Sequence, residues 1–296
     1  MLAVVVLLQF IQNSSHDIYS SFSGNLDYSW NRELQHICGD RFLPEKPKFR
    51  SLGGERVQNR EYPWTLGLII GESAICSATL ISRRHALTAA HCVTTFTARR
   101  KKPGDKCSHK LIPESYIRVY PPTRVTNILR LEPFTSSFRV VKVTVHPNFD
   151  PCNKTGDVAL LEISPNMFSD GAPICMPDAN ETIPKSLRAA GFGRNPKFHG
   201  KRYLQVVNLT LLLNYSEEIV TCSPGYTICA GDSGGPLFKT NETRYTLLGV
   251  ASRGVKCEKD EDENVSFFED IRPKLEWICK NSGICPMGFS TKPKAG

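Results

Sequence analysis

From Trp64 onward the apolar positions fall into short runs rather than long amphipathic stretches. Thr65–Ile70, Ser77–Ile81, Tyr116–Tyr120, Phe138–Val145, Val158–Ile163, Leu204–Leu213 and Tyr245–Ser252 are rich in β-branched and aliphatic residues, with turn signals between them. Runs of that length, so punctuated, predict strands. Phe138–Val145 (FRVVKVTV) is typical, being partly alternating and heavily β-branched. A helix is predicted only near the C-terminus, where Pro273 suits a first turn and Leu275, Trp277 and Ile278 supply an apolar side. Many short strands with one terminal helix predict an all-β antiparallel barrel or sandwich and argue against a βαβ sheet.

The flanks read differently. Leu2–Leu8 is too short to span a bilayer and has the character of a signal-peptide core, so residues 1–16 are expected to be a signal peptide. Residues 17–50 are polar and aromatic without a clear period and end in Pro44-Glu-Lys-Pro-Lys48, as a pro-segment or linker would. Residues 280–296 have too little apolar content to fold alone and are expected to form a tail.

Composition changes this picture in two respects. At 296 residues, 40% hydrophobic and 22% charged, the chain has the make-up of one large globular domain. Its 11 cysteines include no Cys-x-x-Cys pair, which favours disulfides over zinc and places the protein in an oxidising, secreted setting. Asn13, Asn153, Asn180, Asn208, Asn214, Asn241 and Asn264 each open an Asn-x-Ser/Thr triplet, the acceptor pattern for glycosylation in the same compartment. The formal charge of +8 is scattered except at Arg99-Arg-Lys-Lys102 and Lys106, which reads as a solvated loop beside Pro103-Gly104. A heparin-like ligand or a proteolytic site is the alternative there; nucleic acid is not expected. No metal or cofactor site is expected either.

The sharpest chemical signal is Gly231-Asp-Ser-Gly-Gly235, where small neighbours leave a serine hydroxyl uncovered and backbone N–H groups can face an oxyanion. The pattern also fits the nucleophile elbow of α/β-hydrolases, but that fold needs a helix after the serine and a histidine further on. Pro236-Leu-Phe238 follows instead, and all seven histidines precede Ser233. Serine needs a base. His91, in Leu87-Thr-Ala-Ala-His-Cys92, is the candidate, and Asp157, a charge at the mouth of an apolar strand, is the candidate orienting acid.

With these residues in the order His, Asp, Ser, the chain resembles the trypsin/chymotrypsin-like serine peptidase family from about Ser51 to Ile278. Glu61-Tyr-Pro-Trp64, Thr88-Ala-Ala-His-Cys92, Gly156-Asp-Val-Ala-Leu-Leu161, Pro173-Ile-Cys-Met-Pro177, Gly231-Asp-Ser-Gly-Gly-Pro-Leu237 and Trp277-Ile278 carry the likeness. It implies two six-stranded antiparallel β-barrels with a C-terminal helix, the peptidase domain being 51–279. It also implies a triad of Ser233 as nucleophile, His91 as general base and Asp157 as its partner. The N–H groups of Gly231 and Ser233 become the oxyanion hole. Ser252 supports the buried aspartate, and Thr227, Ser252, Gly254 and Ser266 bind substrate. Disulfides Cys76–Cys92, Cys38–Cys175 and Cys229–Cys257 are implied. Of the remaining cysteines, Cys107–Cys152 and Cys279–Cys285 are pairs that leave Cys222 over, although sequence does not fix connectivity.

The resemblance further implies a zymogen cut after Arg50, whose new terminus, Ser51, pairs with Asp232. Ser51 replaces a large apolar residue, so its insertion gains less burial by roughly 2 kcal/mol; the alternative is that the cut never occurs. Thr227 stands where trypsin-like members carry an acid, Ser266 replaces a glycine and Arg253 an aromatic residue. Small or apolar substrate side chains are therefore expected; the Glu258–Glu263 run reads as a solvated loop, with attraction of basic substrates as the alternative. The expected protein is a secreted, monomeric serine endopeptidase. Its partners would be protein or peptide substrates, an activating protease and protein inhibitors. The rival reading is a protease-like binding or cofactor module with little or no turnover.

Overall fold

The computed structural model describes residues 25–40, 55–56, 61–96, 106–125, 127–131, 135–195, 198, 200–215, 217–241, 244–254 and 264–286. In chain order the elements are α1 (Tyr28–Ile37), β1 (Glu55–Arg56), β2 (Thr65–Ile70), β3 (Ala74–Leu80), β4 (His85–Thr88), β5 (Thr94–Phe96), β6 (His109–Leu111) and β7 (Ile117–Tyr120). There follow β8 (Phe138–Val145), β9 (Ala159–Ser164), β10 (Ser186–Gly191), β11 (Gln205–Tyr215), β12 (Glu218–Cys222), β13 (Pro236–Asn241), β14 (Arg244–Gly254), β15 (Val265–Asp270) and α2 (Leu275–Ser282). Strands β2-β3-β4-β9-β8-β7 close one antiparallel barrel. The second runs β11-β10-β13-β14-β15-β12 and closes through β11 pairing with β12, while β1 adds to the outer edge of β11. Two six-stranded barrels, as the resemblance implied, leave no free edges over most of their length.

Apolar side chains from the alternating inner positions fill each barrel. Leu66, Leu68, Leu80, Leu87, Val119 and Leu161 are buried in the first; Leu187, Leu209, Ile219, Leu237, Leu248 and Phe268 form the core of the second. An aromatic cluster joins them. Trp64 packs against Tyr245 at 5.1 Å and edge-on to Phe238 at 5.9 Å between centroids, fixing how the barrels sit against one another.

The segment before the barrels differs from the sequence reading. Residues 28–37, within the stretch read as lacking a period, form α1. Asp27 caps it by accepting from Trp30 N–H at 2.9 Å. Leu34 is buried, Cys38 is disulfide-bonded to Cys175, and Arg244 donates to the carbonyls of Gln35 and His36 at 2.8 and 2.7 Å. At its N-terminal side Leu26 N–H donates to Ser282 O at 2.7 Å. The domain edge expected at 279 also falls inside α2, which continues to Ser282 and is followed by the Cys279–Cys285 bridge. The C-terminal residues to 285 are thus packed against α1, with Asn31 Nδ2 donating to Cys285 O at 3.0 Å.

Cys76–Cys92 and Cys107–Cys152 are also bonded, and Cys222 is free. Cys229 is in a disulfide; its expected partner Cys257 lies outside the described residues.

Candidate active site

His91 sits in a 3-10 turn, Ala90–Cys92, immediately after the wholly buried β4. Ala89 and Ala90 have no exposed surface, so the tight turn has no room for larger side chains. Cys92 ties it to β3 through Cys76. Asp157, 1% exposed, lies just ahead of β9. It accepts three hydrogen bonds: Oδ1 from the His91 main-chain N–H at 2.9 Å, and Oδ2 from His91 Nδ1 and Ser252 Oγ at 2.7 Å each. Burial alone pushes this carboxyl up, but the hydrogen bonds and charge of His91, helped by Ser252, outweigh it and hold the group below the usual carboxylate range. An ionised carboxylate only accepts, so Nδ1 carries the proton and Nε2 is left as the basic nitrogen. Ser252 reaches Asp157 because β14 carries a register shift between Ala251 and Arg253, a bulge that turns this side chain out of strand alternation.

The Ser233 loop is fixed from below by Ser77 of β3. Its hydroxyl donates to Gly231 O and its N–H to Ser233 O, both at 2.8 Å. Gly234 N–H donates to Ala251 O at 2.7 Å, and Gly235 N–H to Asp232 O at 2.8 Å. Those of Gly231 and Ser233 donate to no other described residue and are free to converge on an anion. Gly234 has φ +86°, and a Cβ there would lie 2.1 Å from Ser77 O; glycine is required by both conformation and space. The Cys92 sulfur, 3.8 Å from His91 Nε2 and 3.7 Å from Ser233 O, marks how closely the two loops approach.

Asp232 points inward. Its carboxylate accepts from Gly193 N–H at 2.7 Å and Cys229 N–H at 2.9 Å. Desolvation of this inward-pointing carboxyl nevertheless pushes it up to about 6, with the two N–H bonds and the Arg202 charge acting in the opposite direction. A Cβ at Gly193 would fall 2.1 Å from Asp232 Oδ2, so the cradle exists only with glycine there. Its expected partner Ser51, and Arg50, lie outside the described residues.

The structure also brings together Thr227, Ser266 and Gly254. Thr227 Oγ1 and Ser266 Oγ are 3.0 Å apart, Ile228 N–H donates to Ser266 Oγ at 3.2 Å, and Gly254 packs against Ile228 and Thr227. The two hydroxyls therefore satisfy each other rather than presenting a charge. Arg253 is drawn into an ion pair with Glu218 and lies over the Phe267 ring at 4.1 Å.

The sequence reading missed Ser77, Gly193 and Glu218. Ser77 meets Gly231 across 154 residues, and no single-sequence signal marks such a pairing. Among the acceptor sites, Asn153, Asn180, Asn208 and Asn214 are exposed. Asn264 is 2% exposed and corrects the expectation: where β15 begins, its side chain turns into the protein and has no room for a glycan. Asn13 and the side chain of Asn241 lie outside the described residues.

With this geometry in place, comparison with known proteins is informative. The family model described as Trypsin matches residues 51–278. Ovochymase-2 of Mus musculus is 28% identical over 285 residues, covering 82% of this chain and 44% of the relative. The chain thus spans under half the length of that curated relative.

Proposed function

Because the chain belongs to the trypsin family, we propose that it is a secreted serine endopeptidase made as a zymogen and acting through an acyl-enzyme. The observation that carries the reading is Asp157, buried and ionised, bonded to His91 Nδ1 in front of a serine loop with two unspent N–H groups. Ser233 Oγ attacks the scissile carbonyl as His91 Nε2 takes its proton. The developing oxyanion is held by the N–H groups of Gly231 and Ser233, an effect worth about 3–4 kcal/mol per donor in comparable hydrolases. The imidazolium, steadied by Asp157, then protonates the leaving amine. Water, activated by the same imidazole, releases the acyl group and restores Ser233.

Small or uncharged side chains suit the Thr227–Ser266 floor, since the paired hydroxyls offer no counter-charge to Lys or Arg. Activation follows a cut after Arg50: the new amino group supplies the cation that buried Asp232 calls for. The disulfide Cys38–Cys175 keeps α1 attached afterwards.

The second reading, a protease-like binding module with little turnover, is favoured by the pairing of Thr227 with Ser266, which leaves no charged anchor at that place. Peptide-library cleavage by the trypsin-treated protein, with Ser233→Ala as control, decides between them. Cleavage lost in the variant supports the peptidase; equal background in both supports the module.

A further inference from the structure

A second acid is buried against Asp157. Glu269 of β15 is 1% exposed; burial, and to a smaller degree the Asp157 charge, push its carboxyl up, while the Lys274 ammonium pulls the other way. Two carboxylates in a dry interior repel, and a cation beside them lowers that cost. Lys274, in the 3-10 turn Arg272–Lys274 and itself 1% exposed, supplies it: its Nζ is 3.1 Å from Glu269 Oε2. The same ammonium donates to Glu217 Oε2 at 2.9 Å and to Asp270 O at 3.0 Å. Glu217, in the turn between β11 and β12, has its side chain 45% exposed. A line of charges, Asp157, Glu269, Lys274, Glu217, thus runs from the candidate active site to the surface.

The groups facing this line are few. His146, after β8, acts on Glu217 and Lys274 and is packed edge-on to Trp277 at 5.0 Å. Lys106 lies within electrostatic range of His146. The Asp270 carboxylate is occupied by Arg272. A buried ion pair contributes little net stability compared with apolar residues of the same volume. Filling space therefore does not explain why charge stands at this place.

We propose that Glu269 and Lys274 are positioning residues for the reaction: Glu269 sets a second negative charge against Asp157, Lys274 tempers it, and together they fix how readily His91 accepts the Ser233 proton. The proposal rests on the serine-peptidase reading above. Negative charge behind Asp157 favours the imidazolium, so removing Glu269 makes His91 harder to protonate, and removing Lys274 makes it easier.

The test uses the trypsin-treated protein and the rate of fluorophosphonate labelling at Ser233 between pH 5 and 9, in wild type, Glu269→Gln, Lys274→Met and the double variant. The acid limb is expected to move down by about half a unit in Glu269→Gln and up by about half a unit in Lys274→Met, with the double variant between them. Limbs that stay fixed, or move the same way in both single variants, overturn the proposal whatever happens to the rate. If Lys274→Met does not fold, a downward limb in Glu269→Gln that returns in the double variant carries it, and an unmoved limb overturns it. A wild-type protein that does not label at all fails the peptidase reading before any variant is made, and this proposal with it.

Discussion

The buried carboxyl of Asp232 makes a prediction about activation that thermodynamics can check. Its folded value of about 6 stands above the reference of 3.8 because burial penalises the charged form. A raised folded value means that the group favours the fold fully only below pH 3.8 and that this contribution is lost as pH rises to about 6. The gap of roughly two units corresponds to about 3 kcal/mol at neutral pH. A cation delivered beside it by a cut after Arg50 offsets that cost. The perturbation is therefore the cut itself, made in Ser233→Ala to prevent self-digestion, with calorimetric melting of both forms at pH 7.5 and pH 4.5. At pH 7.5 the cut form should gain up to roughly 10 °C from this term, taking about 2–4 °C per kcal/mol for a domain of this size. At pH 4.5 most of the uncut protein's Asp232 is protonated, so the gain should fall to about a third. Any loss from breaking the chain is the same at both pH values and cancels in the comparison. A difference between forms that does not change with pH would refute the claim that the new terminus reaches Asp232.

Three other outcomes follow from the same geometry. Gly234→Ala places a Cβ 2.1 Å from Ser77 O at a positive φ, so it should cost about 3 kcal/mol or more and abolish fluorophosphonate labelling; near-normal labelling and melting would contradict the geometry. Ser266→Gly removes one of the two hydroxyls that meet at 3.0 Å, and peptide-library profiling should show larger uncharged side chains accepted at the cleavage site. His85, buried and held down to about 3 mainly by burial, with Arg84 and Lys142 adding to it, favours the fold fully above pH 6.5 and loses that contribution as pH falls toward 3. Urea unfolding should therefore weaken below pH 6.5, on the order of 4 kcal/mol over that range, and His85→Gln should flatten this acid dependence.

The parts of this architecture that are local in the chain were legible in it. Gly231-Asp-Ser-Gly-Gly235 and the alanines before His91 carry their geometry within a few residues, and the short β-branched runs between turn signals announced most of the long strands. What escaped depends on distant partners. The stripe Trp30, Leu34, Ile37 is too short to fold as an isolated helix; it does so because Cys175, Arg244, Ser282 and Cys285 meet it, Cys285 from 254 residues away. Ser252 was placed by likeness alone, since the bulge that aims it at Asp157 is a property of β14 pairing with β15. Nothing local in the sequence marks Glu269 and Lys274, and it is the folded packing around β15 that takes both out of water. The sequon at Asn264 failed for the same reason: its triplet is local, but its burial is not.

The central claim is that Ser233 is a nucleophile activated by His91 and Asp157. Labelling of the protein with a fluorophosphonate, before and after limited trypsin treatment, tests it most directly when mass spectrometry reads both the adduct site and the new N-terminus. The account predicts an adduct on Ser233 that appears after a cut at Arg50 and is absent from His91→Ala. A cleanly cut, folded protein that takes up no probe at Ser233 would contradict it.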